Sequence, residues 1–286
     1  MKQAEVLVIG SGVMGRGIAK SFAAAGIPSA ILTRNRANAT GIDKRVALTE
    51  KLPETTPKLV IESIPEVVAL KHACYAELEE KYQGGCVIGS NTSGLDLELL
   101  AGPLKYPAKF LAIHYFMPAD VMPQVELAPG SKTDPASYEL AAGYLERAGK
   151  QAVRLGKAVP GLLLNRLQHA ILHEAYYLIS EGVCTAEQID AFARESYGPR
   201  MCIAGLIKQK DISGLDTHAL VQRALVPYLC HSAEPQRPLQ DLYDAGHLGL
   251  KTGKGFYDWS GEDPNEVKAE AARKLTELLT FLKQLG

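Results

Sequence analysis

The stretch VIGSGVMGRG, residues 8–17, decides how this chain folds. It closes an apolar run that begins near residue 5, breaks at Gly10, and passes into small and apolar residues through residue 25. Gly10, Gly12 and Gly15 therefore fall between a predicted strand and a predicted helix, the setting in which a Gly-x-Gly-x-x-Gly pattern acquires physical meaning. Gly10 permits the tight turn, Gly12 lets backbone approach a pyrophosphate, and Gly15 lets helix and sheet pack closely. The helix start, with Val13 and Met14, offers unpaired N–H groups and partial positive charge to phosphate. A second strand at 30–32 completes a β-α-β unit.

Working outward, apolar runs at 59–64, 86–88, 110–114 and 151–154 alternate with helical stretches such as 67–82 and 95–100. Such alternation predicts an α/β Rossmann domain with a mostly parallel, doubly wound sheet. Beyond residue 154 strand signals nearly vanish. Pro160 and Gly161 open a helical pattern to about residue 181, and 186–195, 217–230 and 264–285 also read as helices. The expected organisation is a dinucleotide-binding domain over 1–158 and an all-helical domain for substrate binding and dimerisation over 159–286.

Composition narrows the function classes. A formal net charge of -1 leaves no basic field for nucleic acid, so none is expected as a partner. No apolar run approaches the roughly 18 to 20 residues that span a bilayer, and no leader pattern precedes the first strand. Five cysteines, odd in number and never in a Cys-x-x-Cys pair, argue against a disulfide framework and a zinc site. The expectation is a cytoplasmic protein without a bound metal. His169 and His173 have an i, i+4 spacing, but no third ligand accompanies them and packing is the expected role.

The end of the second strand bears on cofactor choice. An acid there accepts hydrogen bonds from the adenosine ribose, whereas this chain has Thr33, Arg34, Asn35 and Arg36. Thr33, Arg34 and Arg36 suit a 2'-phosphate, at about 1.5 to 3 kcal/mol for one charge-assisted bond. NADP(H) is the expected cofactor, with NAD(H) as the other.

Hydride transfer from a carbinol needs a group to take the hydroxyl proton, and imidazole exchanges protons near neutrality. His114 ends a predicted strand at the carboxyl edge of the sheet, where open α/β sheets bind ligands. Glu126 lies twelve residues on, so a short excursion would return its carboxylate to the imidazole. Such a partner fixes the tautomer and stabilises the imidazolium.

Five segments in order, IESIPEVVALK (61–71), SNTSG (90–94), HYFMPADVMPQVE (114–126), PGLLLNR (160–166) and GLKTGKGFYDW (249–259), resemble the 3-hydroxyacyl-CoA dehydrogenase family over almost the whole chain. The resemblance implies a His114–Glu126 catalytic pair, with Ser93 and Asn165 hydrogen-bonding the substrate's oxygens. It places Asn91 beside the nicotinamide ribose and Glu66 and Lys71 near the cofactor, although a Glu66–Lys71 helix pair also reads as solvated.

Two departures bear on the substrate. Met117 stands where the family usually has asparagine, and only residues 35–58 separate the second strand from the third, too few for the helical pair that helps many members hold CoA. The expected substrate is therefore a small hydroxy or keto acid or ketone, as in the gulonate, carnitine and diketone-reducing branches. Arg154, Arg166, Arg200 and Lys251 are the cations available to meet a carboxylate. The alternatives are a short-chain 3-hydroxyacyl-CoA dehydrogenase using NAD, and a non-catalytic, crystallin-like nucleotide-binding protein. The apolar residues and tyrosines of 162–179, Tyr176 and Tyr177 among them, lead us to expect a homodimer.

Overall fold

Adjacent residues of the first strand are both buried yet serve two different cores. In the computed structural model, which describes residues 4–34, 36 and 39–285, strand β1 (Val6–Ile9) sends Val6 and Val8 to one face of a sheet and Leu7 and Ile9 to the other. A strand buried on both faces reads as a continuous apolar run, which is why no alternation is visible in its sequence. The first helix, α1 (Val13–Ala24), lays Ile18, Ala19 and Phe22 on the Val6 and Val8 face. Fully burying an Ile or Phe side chain stabilises by about 1.5–3 kcal/mol.

The chain continues through β2 (Ser29–Leu32), β3 (Ala47–Thr49), β4 (Leu59–Glu62), α2 (Val68–Tyr82), β5 (Val87–Ser90) and α3 (Leu97–Ala101). Strands β6 (Phe110–Tyr115) and β7 (Gln124–Pro129), helix α4 (Pro135–Arg147) and strand β8 (Gln151–Arg154) follow. The eight strands form one sheet in the order β3-β2-β1-β4-β5-β6-β7-β8. Every pairing is parallel except β6 with β7. The reversal of chain order at β1 and β4 is the switch point at which such sheets bind ligands.

Two strands depart from the sequence reading. β3 extends the sheet edge with only three residues, too short a pattern to announce itself, and β7 occupies what reads from sequence as an excursion. Helices α1 and α4 cover one face, with Ala141 and Leu145 from α4; α2 and α3 cover the other with Tyr75, Leu78, Leu97 and Leu100.

The fold divides into two compact units, Met1–Arg166 and Leu167–Gly286. The second is helical: α5 (Leu164–Ser180, entering from the first unit), α6 (Ala186–Phe192), α7 (Gly198–Ala204), α8 (Lys208–Ser213), α9 (Leu215–Leu225), α10 (Arg237–Asp244) and α11 (Pro264–Leu285). Residues 249–259 fold as a turn-rich segment in which Phe256 stacks on Tyr176, and Tyr257 donates to Asp190 at 2.7 Å. Among the described residues beyond Arg166 only Ala175 is buried, while Phe192, Ile203, Ile207, Ile212 and Tyr228 are each at least 64% exposed.

Candidate active site

The glycine turn shows which of its residues serve the fold and which leave room for a ligand. Gly10 has φ +111°, and a Cβ there would lie 2.5 Å from the Ser63 carbonyl oxygen. At Gly15 a Cβ would lie 1.9 Å from the carbonyl oxygen of Gly10, so the helix touches the turn. At Gly12 a Cβ would meet nothing within 4 Å, and Gly12 caps α1 without a side-chain hydrogen bond. The first turn of α1 begins there, beside exposed Val13 and half-buried Met14. That cradle fits a dinucleotide pyrophosphate.

At the end of β2, Thr33 is buried and its Oγ1 lies 2.9 Å from Ser11 Oγ. Arg34 is exposed. Arg36 donates through its guanidinium to the Leu48 carbonyl at 3.1 Å and through its amide to Glu50 at 3.3 Å, which ties this turn to β3. Asn35 lies outside the described residues.

The carboxyl ends of β4, β5 and β6 gather polar and titratable side chains. Asn91, just past β5, accepts from the Tyr115 amide at 2.8 Å and donates to Ser63 Oγ at 3.3 Å, so one side chain laces three strand ends together. His114 and Glu126 are directly opposed in the antiparallel β6/β7 pairing, and His114 Nδ1 lies 2.8 Å from Glu126 Oε2. Both are buried, and Phe116 packs edge-on against the imidazole with ring centres 5.0 Å apart. Among the described residues nothing bonds to His114 Nε2.

The second oxygen of Glu126 has work that the sequence does not reveal. Oε1 accepts the amides of Leu163 and Leu164 at 2.9 and 2.7 Å, which caps the start of α5 with a negative charge. The chain reaches that geometry through Gly161 at φ +78° and Leu162 at φ +49°, a left-handed conformation that costs a non-glycine residue about 1 kcal/mol or more. The next residue of α5, Asn165, donates to the Ser93 carbonyl at 2.8 Å. Ser93 lines a small hollow with Thr92, Ala112, Val159 and Leu162.

Glu66 and Lys71 do not form a solvated helix pair. Glu66 precedes α2, where it accepts the Ser93 amide at 2.6 Å and the Thr92 and Ser93 hydroxyls at 3.0 and 3.1 Å. Lys71 turns its ammonium into the protein, 2.7 Å from Glu62 and 3.3 Å from Glu66. The residue is fully buried beneath the strand ends and its charge is shared between two carboxylates. Sequence reasoning passed over Glu62 because it ends an apolar run. In the structure it also accepts from the Ile64 amide, Tyr75 and Ser90 at 2.8, 2.6 and 2.8 Å. Burial, and then the Glu62 charge, push the Tyr75 phenol far above its ordinary range.

Other expectations fall elsewhere. Arg154 is engaged by Glu139 and Glu146 at 2.6 and 3.0 Å, so its guanidinium is committed to surface carboxylates rather than to a substrate. Arg166 is held 3.4 Å from the Pro160 carbonyl. Arg200 and Lys251 belong to the helical unit. Met117 is 66% exposed. His173 lies 3.4 Å from Cys230 Sγ and 3.2 Å from Gln236, and no cluster of three metal-ligating side chains occurs among the described residues. No helix of the described residues is long and apolar enough to cross a membrane.

Residues 5–55 and 36–159 match the NAD binding domain of 3-hydroxyacyl-CoA dehydrogenase, and residues 161–259 match its C-terminal domain. The chain belongs to the 3-hydroxyacyl-CoA dehydrogenase family. It is similar to a 3-hydroxybutyryl-CoA dehydrogenase of Bradyrhizobium diazoefficiens, 32% identical over an alignment that spans 91% of this chain and 97% of that one. It is also similar to the 5-formyl-3-hydroxy-2-methylpyridine 4-carboxylate 5-dehydrogenase of Mesorhizobium japonicum, 28% identical over 225 residues, or 79% and 73% of the two chains. The crystal structure of a 5-dehydrogenase of that name, described as an NAD+ dependent dismutase, superposes with a TM-score of 0.91 at 24% identity over 97% of this chain and 98% of its own, which shows a shared fold. As a 3-hydroxyacyl-CoA dehydrogenase family member, the protein is an oxidoreductase with a nicotinamide dinucleotide domain.

Proposed function

We propose that this protein interconverts a 3-hydroxy and a 3-keto small molecule without CoA, using NADP(H), with His114 as general acid and base. The observation that carries this reading is the His114–Glu126 pair: buried, 2.8 Å apart, and set by strand register at the carboxyl edge of the sheet. A carboxylate on Nδ1 keeps the proton there and leaves Nε2 to exchange a proton with the substrate oxygen. Oxidation of the alcohol moves that proton to Nε2; reduction of the ketone returns it. Glu126 stabilises the imidazolium formed in between. Ser93 and Asn165, tied to each other, hold the same oxygen as charge develops on it.

The bound nicotinamide supplies the hydride acceptor or donor. Gly10, Gly12, Val13, Met14 and Gly15 would cradle its pyrophosphate, with Asn91 beside its ribose. Thr33, Arg34 and Arg36, with no acid at the end of β2, favour a 2'-phosphate. Between β2 and β4 the described residues add β3 and no α-helix, which leaves no helical pair to wall a CoA. The same reading assigns 1–158 to cofactor binding and 159–286 to substrate binding and homodimerisation. The exposed apolar side chains of the helical unit support the dimer.

The test is a panel of free 3-hydroxy and 3-keto acids and ketones, with acetoacetyl-CoA included, run with both cofactors. The expected result is turnover of a free acid or ketone with at least about tenfold higher kcat/KM for the phosphorylated cofactor. Faster oxidation of NADH by acetoacetyl-CoA would install the second reading, a short-chain 3-hydroxyacyl-CoA dehydrogenase, favoured by the family match and by the Bradyrhizobium relative's name.

A further inference from the structure

Glu66 lies between two sets of partners that the reaction as described does not connect. Oε2 lies 3.3 Å from Lys71, whose ammonium is anchored 2.7 Å from Glu62 at the end of β4. Oε1 takes three donors from the loop after β5: the Ser93 amide at 2.6 Å, the Thr92 hydroxyl at 3.0 Å and the Ser93 hydroxyl at 3.1 Å. Thr92 is fixed from its other side, since its Oγ1 accepts the Leu95 amide at 3.1 Å. The anchor beneath is rigid because Glu62, Lys71, Tyr75 and Ser90 are all fully buried and mutually bonded.

We propose that Glu66 is a positioning residue for Ser93, and that Lys71 acts as the buried cation that keeps the Glu66 carboxylate in place. This rests on the reading of Ser93 as the side chain that holds the substrate's oxygen. A serine hydroxyl has one proton to donate, and in the free protein that proton is directed to Glu66. The Ser93 hydroxyl can rotate about its own side chain, so its bond is the one the substrate's oxygen replaces. The amide bond, the shortest, stays and holds the Ser93 backbone still while the hydroxyl turns. Asn165 grips the same residue by its carbonyl, so Ser93 is held from both ends.

The electrostatics agree with a carboxylate committed to this duty. Burial raises the Glu66 carboxyl, but the Ser93 amide, the Lys71 charge and the Thr92 hydroxyl outweigh it and hold the group below the ordinary carboxylate range.

The test is a double-mutant cycle on Glu66 and Ser93, read with 3-hydroxybutyrate and acetoacetate, free and as CoA thioesters, and with fluorescence titration of reduced cofactor. Glu66→Ala and Ser93→Ala should each lower kcat/KM for substrate by roughly 10- to 100-fold. The double variant should lose no more than about threefold beyond Ser93→Ala alone, because the two act through one side chain. The cycle is read at saturating cofactor, and retained cofactor binding reports a folded dinucleotide domain. Glu66→Gln keeps the shape and repeats the cycle should Glu66→Ala not accumulate. Additive losses, or a tenfold weaker cofactor Kd with substrate kinetics kept, would overturn the proposal and place Glu66 on the cofactor. A Ser93→Ala variant with unchanged kinetics would remove the reading of Ser93 itself, and the proposal with it; a Ser93 loss without a Glu66 loss would remove the proposal alone.

Discussion

His114 and Glu126 face each other across an antiparallel strand pair, and the two oxygens of Glu126 divide between the imidazole and the first amides of α5. One carboxylate therefore orients the imidazole and fixes the helix start that carries Asn165. Glu126→Gln should lower kcat by roughly 10²- to 10⁴-fold. It should also destabilise the fold by about 1–3 kcal/mol, because the Gln amide cannot accept at both ends. His114→Ala should share the kinetic loss without leaving a helix start uncapped. Steady-state kinetics beside urea unfolding separate the two effects.

Lys71→Met should be among the most damaging single changes away from the reacting groups. It leaves the Glu62 carboxylate buried without its cation, at a cost of about 3–5 kcal/mol. Pairing it with Glu62→Gln should recover part of that loss in denaturation midpoints; no recovery would deny the coupling.

Glycines 12 and 15 should separate folding from binding. Gly15→Ala drives a Cβ to 1.9 Å from the Gly10 carbonyl oxygen and should lower Tm sharply. Gly12→Ala meets nothing within 4 Å, so Tm should hold while cofactor Kd rises. Calorimetry and fluorescence titration on the two variants check this.

Thr33→Asp should move cofactor choice. An acid beside Arg34 repels a 2'-phosphate and accepts from a ribose hydroxyl, so the ratio of kcat/KM for NADP(H) over NAD(H) should fall about 10- to 100-fold. An unchanged ratio would mean that this turn does not read the adenosine ribose.

Acid should expose the Glu66 bonds as a stability effect. The folded state holds this carboxyl below its ordinary value of 4.5, so its contribution is present above that pH and disappears as pH falls through the lower, folded value. The Tm difference between the parent and Glu66→Gln should therefore be widest near neutrality and shrink below about pH 4.5.

The parts of the fold legible in sequence were those written as local pattern. The glycine turn after β1 carries strand, turn and helix in ten residues, and the long period of α5 and α11 needs no partner to be read. What escaped was defined by neighbours. Strand β3 has three residues whose identity as a strand comes from pairing with β2, and β7 exists because its register with β6 buries Val125 and Leu127. Lys71 reads as a surface lysine on any helix. Only the carboxylates that tertiary structure brings to it, Glu62 on β4 and Glu66 in a loop, turn it inward. The division of labour within Glu126 was equally hidden, since amides at 163 and 164 leave no mark in residue type.

The helical unit leaves many large apolar side chains exposed, with Ala175 its one buried residue among those described. If the proposed homodimer covers it, its unfolding midpoint should rise with protein concentration, whereas that of a self-sufficient domain would stay put.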